Sequence, residues 1–410
     1  MQERMVIVGA SLAGLRAAQA ARKAGHEGPL TLVGGEVHLP YDRPPLSKAY
    51  LEAGEQAPET PTFRTEDELR DELDMELMLG TWATGLDGER KIVTVCDSEG
   101  ETRELEYGSL IIATGAAART LPDADKLSGV HTLRTLDDAK SIRDALDAGA
   151  RTVVVGAGFI GSEVASGARK RGLDVTVLEA LPVPLVRSVG EAMGHACAKL
   201  HEAHGTDLRT GVKVTGLQGE DGKVTGVSLD DGSTVPADLV VVGTGVAPNT
   251  EWLAESGIQL HERDKGIVCD ETLCVGLDGV YAAGDVVHFP HPLFDGTLLR
   301  LEHWTNAAEQ GTLAAKNALN PAEAKPAKSV PYFWSDWYDS RIQFVGIPSA
   351  DEIRVVSEEL GEENFLGLYR TGDRITGCIT IDRPTQIMKY RRMIAQSKSW
   401  TDALEFAGVS

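Results

Sequence analysis

Cysteine is scarce in this chain, and long apolar runs are missing. The 410 residues include five cysteines, an odd number with no Cys-x-x-Cys spacing, which is not the disulfide framework of a secreted protein. No His/Cys cluster has the spacing of metal ligands, so we expect no metal site. No apolar run is long enough to cross a bilayer, and Met5–Val8 has the pattern of a first strand rather than of a signal peptide. We therefore expect a cytoplasmic protein.

Positive charge is also in short supply. Forty lysines and arginines face 62 aspartates and glutamates, which gives a formal net charge of -22. An acidic surface repels nucleic acids and anionic membranes, so we expect neither as a partner. The length of the chain and its 42% hydrophobic residues predict two or three globular domains.

Two segments of the chain share one order: an apolar strand, a glycine-rich turn, a helix and a second apolar strand. This order is typical of a βαβ unit, and a duplicated nucleotide-binding architecture explains why it occurs twice. The strand, turn and strand segments are, in chain order, Met5–Val8, Gly9–Gly14, Leu30–Val33, Thr152–Val155, Gly156–Gly161 and Val175–Leu178.

Both units predict a dinucleotide site. A glycine-rich turn lets the backbone approach a pyrophosphate, and the following helix N terminus offers N–H groups and a partial positive charge. Ser11 replaces the middle glycine of the first turn, and its small side chain still fits. The predicted contacts are Gly9, Ser11, Leu12, Ala13 and Gly14 in the first unit, and Gly156, Gly158, Phe159, Ile160, Gly161 and Gly245 in the second.

An acidic residue at the end of the second strand predicts which nicotinamide cofactor is used. Glu179 ends that strand in the second unit, where a carboxylate accepts hydrogen bonds from an adenosine ribose and repels a 2′-phosphate. This favours NADH over NADPH, although Glu179 can also be read as a solvated strand end. In the first unit Glu36 either takes the ribose role one residue late or leaves that contact weakened.

Two apolar strands that end in Thr-Gly, Leu110–Gly115 and Leu239–Gly245, repeat as well, and Val280–Asp285 indicates a return to the first domain. Beyond the linker Pro321–Pro326 the pattern changes to short strands and a closing helix, which predicts a small α+β domain. These elements are expected around Ile342–Val345, Phe365–Tyr369, Cys378–Ile381 and Gln386–Ile394.

Together with these features, the segments Tyr41–Lys48, Gly284–Val286 and Tyr332–Asp336 resemble the oxygenase-coupled ferredoxin reductases, flavoproteins similar to putidaredoxin reductase and to biphenyl dioxygenase reductase. The resemblance covers essentially the whole chain, and it departs at Ser11 and at Gly35, where relatives usually carry Asp. It implies an α/β, glutathione-reductase-like fold with two Rossmann-type domains. The implied division is 1–112 and 245–322 for FAD, 113–244 for NADH and 323–410 for the C-terminal α+β domain.

The resemblance also implies what the enzyme does. Electrons pass from NADH through FAD, one at a time, to an iron–sulfur ferredoxin that serves a haem monooxygenase or a Rieske dioxygenase. Lys48 is implied beside the isoalloxazine ring and Glu163 at the nicotinamide carboxamide, paired with Lys48, as the two catalytic residues. Asp285 is implied at the ribityl chain, and Trp304 opens a helix toward the flavin pyrimidine edge. The other implied cofactor contacts are Arg43, Ala83, Thr114, Gly115, Arg134 and Gly284, although Arg134 can equally be a salt-bridged surface residue.

Disulfide reductases, NADH peroxidases and NADH oxidases with this fold carry cysteine beside the flavin, whereas Tyr41–Lys48 has none. Cys269 and Cys274 lie far from that segment, and we interpret them as packing residues. Two alternatives stay open: a flavin NADH oxidase, and a redox sensor that binds both cofactors without turnover.

The last predictions concern the residues that contact the ferredoxin. Trp334 matches a tryptophan near the docking side, whereas Trp337 is expected to be core packing. Ferredoxins of this type are usually acidic, so a local basic patch has to attract them unless docking is largely apolar. The candidate residues are Lys389, Arg391, Arg392, Arg341 and Arg64, and the alternative is a solvated basic face without a partner.

Overall fold

The computed structural model describes residues 3–54, 59–356 and 365–409. Its strands are β1 (Met5–Val8), β2 (Leu30–Gly34), β3 (Met75–Leu79), β4 (Thr81–Asp87), β5 (Ile92–Asp97), β6 (Thr102–Glu106), β7 (Ser109–Ile112), β8 (Ala116–Ala118), β9 (Val130–His131), β10 (Thr152–Val155), β11 (Val175–Glu179), β12 (Asp207–Thr210), β13 (Val214–Glu220), β14 (Lys223–Leu229), β15 (Thr234–Pro236), β16 (Leu239–Val242), β17 (Val246–Pro248), β18 (Ile267–Val268), β19 (Val280–Ala282), β20 (Val287–His291), β21 (Thr297–Arg300), β22 (Tyr332–Trp337), β23 (Ser340–Gly346), β24 (Glu352–Val355), β25 (Leu366–Thr371) and β26 (Arg374–Ile381). The helices are α1 (Leu12–Lys23), α2 (Leu136–Asp147), α3 (Phe159–Lys170), α4 (Val186–Val189), α5 (Glu191–Ala203), α6 (Trp304–Leu319), α7 (Pro384–Ala395) and α8 (Trp400–Ala407).

The chain divides into two compact units. The first consists of Met1–Asp42, Pro61–Ala117 and Ala247–Pro331, and the second of Arg43–Thr60, Ala118–Val246 and Tyr332–Ser410. Each unit therefore combines segments that are distant in sequence.

A five-stranded parallel sheet of order β19-β7-β1-β2-β3 forms the centre of the first unit. Every residue of β1 and β2 is buried, as expected for a parallel sheet covered on both faces. Helices α1 and α6 pack very closely. A Cβ atom placed on Gly311 in α6 would lie only 2.1 Å from the carbonyl oxygen of Ala13 in α1. Two three-stranded sheets, β4-β5-β6 and β18-β20-β21, complete this unit.

The second unit repeats the parallel sheet, in the order β12-β11-β10-β16-β9. All four residues of β10 and of β16 are buried. The antiparallel sheet β13-β14-β15 shares an apolar core with these strands. The repeat of strand, glycine-rich turn, helix and strand predicted from the sequence is thus present in both units.

The C-terminal part of the second unit is an antiparallel sheet of order β22-β23-β26-β25-β24. Its core contains Trp337, which is fully buried, so the prediction that Trp337 is a packing residue is confirmed. The fold class is confirmed as well, whereas the predicted domain boundaries stay a prediction.

Two local expectations need correction. Helices α1 and α3 begin at Leu12 and Phe159, inside the glycine-rich turns, because Ser11 and Gly158 already occupy the N-cap positions. The helix expected to close the chain, α7, is followed by α8, which Ser399 caps by accepting a hydrogen bond from the backbone of Asp402. Within the described ranges, no helix is long and apolar enough to span a membrane.

Candidate functional site

The first glycine-rich turn lies at the carboxyl end of β1 and is too tight for side chains at two positions. Gly9 has a φ of +122°, and a Cβ atom there would lie 2.0 Å from the carbonyl oxygen of Ala113. A Cβ atom on Gly14 would lie 1.9 Å from the carbonyl oxygen of Gly9. The backbone N–H of Leu15 donates to the carbonyl of Ser11, so the amides that precede Leu15 point out of the helix N terminus.

Residues from other segments of the first unit surround this turn. A Cβ atom on Gly284 would lie 3.3 Å from the Cβ atom of Ala13, which places Gly284 and the following Asp285 beside the first turn of α1. The backbone N–H of Gly284 donates to Gln310 Oε1 (2.9 Å), whose own helix, α6, begins at Trp304. The indole N–H of Trp304 donates to Asp42 Oδ1 (2.7 Å).

The Thr-Gly pair after β7 is held by hydrogen bonds to the loop that contains Asn249. Thr114 donates through Oγ1 to the carbonyl of Asn249 (2.8 Å), and the side-chain amide of Asn249 donates to the carbonyl of Thr114 (2.9 Å). Gly115 follows with a φ of +64°, which favours glycine. The predicted residues Thr114 and Gly115 therefore belong to the same edge of the parallel sheet as the first glycine-rich turn.

Gly35, the residue that follows β2, lies against an indole ring. A Cβ atom on Gly35 would lie 2.5 Å from the indole nitrogen of Trp82, so a side chain there would require the indole to move. Glu36 is the carboxylate that follows β2, and it accepts a hydrogen bond from the hydroxyl of Tyr41 (2.5 Å). Trp82 is half exposed and precedes the predicted contact Ala83 in β4. Sequence reasoning missed Trp82, because nothing in its local pattern links it to Gly35.

The second glycine-rich turn has the same construction. Gly156 has a φ of +102°, and its Cβ atom would lie 2.5 Å from the carbonyl oxygen of Gly243. A Cβ atom on Gly161 would lie 2.1 Å from the carbonyl oxygen of Gly156. Gly245, with a φ of +107°, lies just beyond the end of β16, the strand that pairs with β10.

Glu179 lies at the end of β11, as predicted, and its carboxylate reaches the second turn. Its Oε2 atom accepts from the backbone N–H of Ala157, and its Oε1 atom from that of Leu181, both at 2.8 Å. The carboxylate is therefore held next to the backbone that would face a pyrophosphate.

A buried carboxylate, Glu163, is the centre of the second unit's candidate site. Its Oε1 atom accepts from the ammonium group of Lys48 (2.7 Å), from the hydroxyl of Ser335 (2.5 Å) and from the backbone N–H of Asp336 (3.3 Å). Its Oε2 atom is hydrogen-bonded to the hydroxyl of Ser47. The expected pair of Lys48 and Glu163 is present, whereas Ser335, 172 residues away in sequence, was not foreseen.

Arg43 and Arg134 also meet in the second unit. The guanidinium of Arg43 donates to the carbonyl of Arg134 (2.5 Å), so it is the backbone of Arg134 that this contact uses. Arg134 precedes Thr135, which caps α2 in a capping box with Asp138. Their predicted role at FAD stays a prediction.

A cluster of His261, Asp264 and His288 in the first unit has the residue types of a metal site, which the sequence spacing did not suggest. His288 Nε2 and His261 Nδ1 lie 2.9 and 3.1 Å from Asp264 Oδ1, and Arg300 donates to Asp264 Oδ2 (2.8 Å). Burial alone would raise the pKa of Asp264, but hydrogen bonds from Gly266, His288 and Arg300 outweigh it and lower that pKa well below its usual range. The carboxylate already has these donors as partners, so the cluster is sufficiently explained as a hydrogen-bonded network.

The residues of the predicted basic patch differ in their partners: some pair with carboxylates and others lie over aromatic rings. Arg341 forms a bidentate ion pair with Asp336, and Arg64 pairs with Glu68. Arg391 lies over the ring of Tyr332, and Lys389 lies over the ring of Phe406. The remaining member, Arg392, is exposed on α7 near Lys389.

The residues present fit FAD in the first unit and a nicotinamide dinucleotide in the second. In the first unit, a Cβ atom would fill the cradle formed at Gly9 and Gly14. In the described part of the chain, the buried Gln310 Nε2 atom also lacks a hydrogen-bond partner, which an additional polar group beside Gly284 can supply. In the second unit, the open backbone at Gly158 and the fixed carboxylate of Glu179 provide the corresponding contacts. Two such sites define a flavin-dependent reductase that uses a pyridine nucleotide.

Comparison with known proteins assigns the family. The family described as pyridine nucleotide-disulphide oxidoreductase matches residues 3–311, and the domain described as reductase C-terminal matches residues 332–406. The chain belongs to the pyridine nucleotide-disulphide oxidoreductase family, which confirms the predicted class of enzyme.

Several known proteins match over nearly the whole chain. Rhodocoxin reductase from Rhodococcus erythropolis is 37% identical over 95% of this chain and 89% of its own length. The ferredoxin--NAD(+) reductase subunit of the benzene 1,2-dioxygenase system from Pseudomonas putida is 34% identical over 96% of this chain and 93% of its own length. A crystal structure of a covalent putidaredoxin reductase–putidaredoxin complex superposes with a TM-score of 0.89, at 35% identity, over 97% of this chain and 94% of that chain.

Proposed function

We propose that this chain is an NADH-dependent FAD reductase that delivers electrons, one at a time, to an iron–sulfur ferredoxin of a haem monooxygenase or Rieske dioxygenase system. The overall reaction converts one NADH and two oxidised ferredoxins into one NAD⁺, one H⁺ and two reduced ferredoxins. The observation that carries the proposal is the ion pair between Lys48 and the buried Glu163 (2.7 Å), together with a Tyr41–Lys48 segment that contains no cysteine. Relatives named for ferredoxins and oxygenase systems support the acceptor.

Bound FAD would supply the change from two-electron to one-electron chemistry, which no protein side chain provides. The residues of the first unit would hold it: the Gly9–Gly14 turn at the pyrophosphate, Glu36 at the ribose and Asp285 at the ribityl chain. In the second unit, the Gly156–Gly161 turn and Glu179 would hold the NADH pyrophosphate and ribose.

Lys48 and Glu163 are the side chains that act at the reacting rings. Glu163 is buried, and its carboxylate accepts hydrogen bonds on both oxygens, which fixes its position before NADH arrives. In this proposal Glu163 orients the nicotinamide carboxamide. Lys48 would supply a positive charge that stabilises the negative charge formed on reduction.

We further propose that the enzyme works in the cytoplasm, where NADH is available. All five cysteines are unbridged thiols, and burial raises the pKa of Cys197 to about 12, so this thiol is protonated and unreactive at neutral pH. Cys269 is likewise buried in the core, with a pKa well above its usual value. Both properties agree with a structural role for these thiols in a reducing compartment.

The test combines cofactor content with a panel of acceptors. We expect the purified protein to be yellow with non-covalent FAD, to reduce ferricyanide with NADH, and to reduce at least one ferredoxin of an oxygenase system. Absence of flavin, even after reconstitution, contradicts the proposal. Reduction of oxygen with no ferredoxin reduction indicates an NADH oxidase, and binding of both cofactors without reduction of any acceptor indicates a sensor.

A further inference from the structure

Strand β22 presents alternate side chains to two different environments. Phe333, Ser335 and Trp337 are buried on one face, where the ring of Phe333 packs edge-to-face against Phe159 at the start of α3, with 4.6 Å between ring centroids. Trp334, on the other face, is half-buried and stacks on Tyr332, with 5.9 Å between ring centroids. Neighbouring residues of one strand therefore contact different parts of the second unit.

The direction of the hydrogen bonds at Ser335 is fixed by its neighbour. The indole N–H of Trp337 lies 2.9 Å from Ser335 Oγ, and an indole nitrogen can only donate. Ser335 Oγ therefore accepts from Trp337 and directs its own hydrogen to Glu163 Oε1, 2.5 Å away. Both bonds are fully buried, so this hydroxyl cannot turn to water instead.

Further contacts hold the same segment on α3. The backbone N–H of Tyr338 donates to Ser166 Oγ (2.6 Å), one turn of helix beyond Ser162. The hydroxyl of Tyr338 lies 2.7 Å from His201 Nδ1, and His201 Nε2 lies 3.1 Å from Ser162 Oγ. These contacts hold Tyr338, three residues beyond Ser335, on α3, and none of them involves Glu163.

We propose that Ser335 is a positioning residue for Glu163, so that the C-terminal segment completes the NADH side of the site. This rests on the proposed function, in which Glu163 orients the nicotinamide. Lys48 and Ser47 bind the same carboxylate from the segment after Tyr41, and Ser335 supplies the third side-chain donor. Removal of that donor leaves the indole N–H of Trp337 without its acceptor and one carboxylate oxygen with a donor fewer, which allows the carboxylate to move.

The experiment follows the two half-reactions of the FAD-loaded enzyme separately. Stopped-flow absorbance measures flavin reduction by NADH, and in a second mix it measures ferredoxin reduction by the prereduced enzyme. Ser335→Ala is expected to raise the KM for NADH and to lower kcat/KM for flavin reduction by about tenfold. It should leave ferredoxin reduction unchanged. Trp334→Ala is expected to have the opposite effect, slowing ferredoxin reduction and sparing flavin reduction.

Three further variants separate positioning from general packing. Ser335→Thr keeps the hydroxyl and should restore flavin reduction to within about threefold of the wild type, whereas Ser335→Cys, a weak donor of similar size, should lie between Ser and Ala. Ser166→Ala is the matched control, because it removes a buried hydroxyl of the same contact region that does not reach Glu163. It should lower the melting temperature without changing the KM for NADH.

Three outcomes overturn the inference: wild-type NADH kinetics in Ser335→Ala, equal NADH defects in Ser335→Ala and Ser166→Ala, or no rescue by Ser335→Thr. These results are distinguishable from failure of the proposed function. If the wild type is reduced by NADH but reduces no ferredoxin, the proposed acceptor is wrong, and the flavin half-reaction still tests Ser335.

Discussion

The carboxylate of Glu179 is bound to the backbone of Ala157 and of Leu181, so it is oriented without any ligand. We predict that the wild type prefers NADH, and that Glu179→Ala narrows the preference, because the variant loses both the ribose contact and the repulsion of a 2′-phosphate. Steady-state kcat/KM for NADH and NADPH measures this.

Glu179→Gln is the matched control for that change. The amide keeps one acceptor oxygen and removes the charge, so it should relieve the repulsion of NADPH while it weakens NADH less than Ala does. A wild type with the higher kcat/KM for NADPH, or an unchanged ratio in both variants, contradicts the assignment of Glu179.

His201 predicts a dependence of stability on pH. Burial, with a smaller contribution from His204, lowers the pKa of His201 from 6.5 to about 4. The unfolded chain therefore binds the proton at a higher pH than the folded protein does, so the free energy of unfolding is greatest above pH 6.5 and decreases as the pH falls toward 4. For this group the loss amounts to about 3 kcal/mol.

Glutamine does not titrate, so His201→Gln removes this contribution. We expect the variant to be less stable than the wild type by about 1–2 kcal/mol at pH 7.5, because it replaces two buried hydrogen bonds imperfectly. The difference should shrink and then change sign as the pH falls from 6.5 to 4.5, measured by urea unfolding at several pH values. A difference that is constant over this range contradicts the role of His201.

How far the sequence predicts the site depends on the separation of the residues involved. Glu179 could be placed beside the second turn because a βαβ unit fixes the distance between them along the chain. Ser335 and Trp82 could not be found this way. Their partners Glu163 and Gly35 lie in other segments, and only the packing of strands brings them together.

At the scale of elements, the sequence predicts the apolar strands of the parallel sheets better than the strands of the small antiparallel sheets. The predicted strands Met5–Val8 and Thr152–Val155 are observed as such, because short apolar runs before a glycine turn leave few alternatives. The sheets β4-β5-β6 and β13-β14-β15 were not predicted, since their strands alternate between buried and exposed residues and contain several polar side chains. Helix α8 was missed although Ser399 and Asp402 form a capping box, a signal that was available in the sequence.

The contact of α1 with α6 gives a prediction for FAD binding. Alanine normally stabilises a helix relative to glycine by about 1 kcal/mol, but a Cβ atom on Gly311 would lie 2.1 Å from the backbone oxygen of Ala13. Gly311→Ala must therefore push α1 away, and with it the turn proposed to bind FAD. We expect a loss of stability of about 1–3 kcal/mol and a lower flavin content after gel filtration.

Gly167→Ala in α3 is the matched control. Its Cβ atom would lie 3.4 Å from the Cβ atom of Leu51, an ordinary contact, so this variant should keep its flavin and be as stable as the wild type or more so. If Gly311→Ala keeps full flavin content and stability, the close contact of α1 and α6 is not required for the cofactor site.

At the scale of the whole molecule, the net charge of -22 limits how a ferredoxin can be attracted. Long-range attraction between two acidic proteins is excluded, so any electrostatic contribution has to come from a local group of cations within the ~8–10 Å over which salt screens charges. Asp336 already pairs with Arg341, and Glu68 with Arg64, which leaves α7 as the better candidate among the predicted residues.

Reversal of charge on α7 tests whether this helix attracts the ferredoxin. Lys389 and Arg392 are both exposed and three residues apart, so they share a helix face, whereas Arg391 lies over Tyr332, and its replacement would also disturb the stack with Trp334. We predict that Lys389→Glu combined with Arg392→Glu raises the KM for ferredoxin and flattens its dependence on salt. The KM for NADH should not change. Exposed charges act mainly on the rate of association, so the effect should be greatest at low salt.

The matched control is Lys213→Glu combined with Lys223→Glu, which changes the net charge equally at exposed positions around the β13–β14 sheet. If only the net charge matters, both double variants will raise the ferredoxin KM to the same extent. If α7 is the docking surface, the control will keep the ferredoxin KM and the salt dependence of the wild type. An unchanged ferredoxin KM in the α7 variant would mean that this helix carries a solvated basic face, and that apolar contacts around Trp334 are the better explanation of docking.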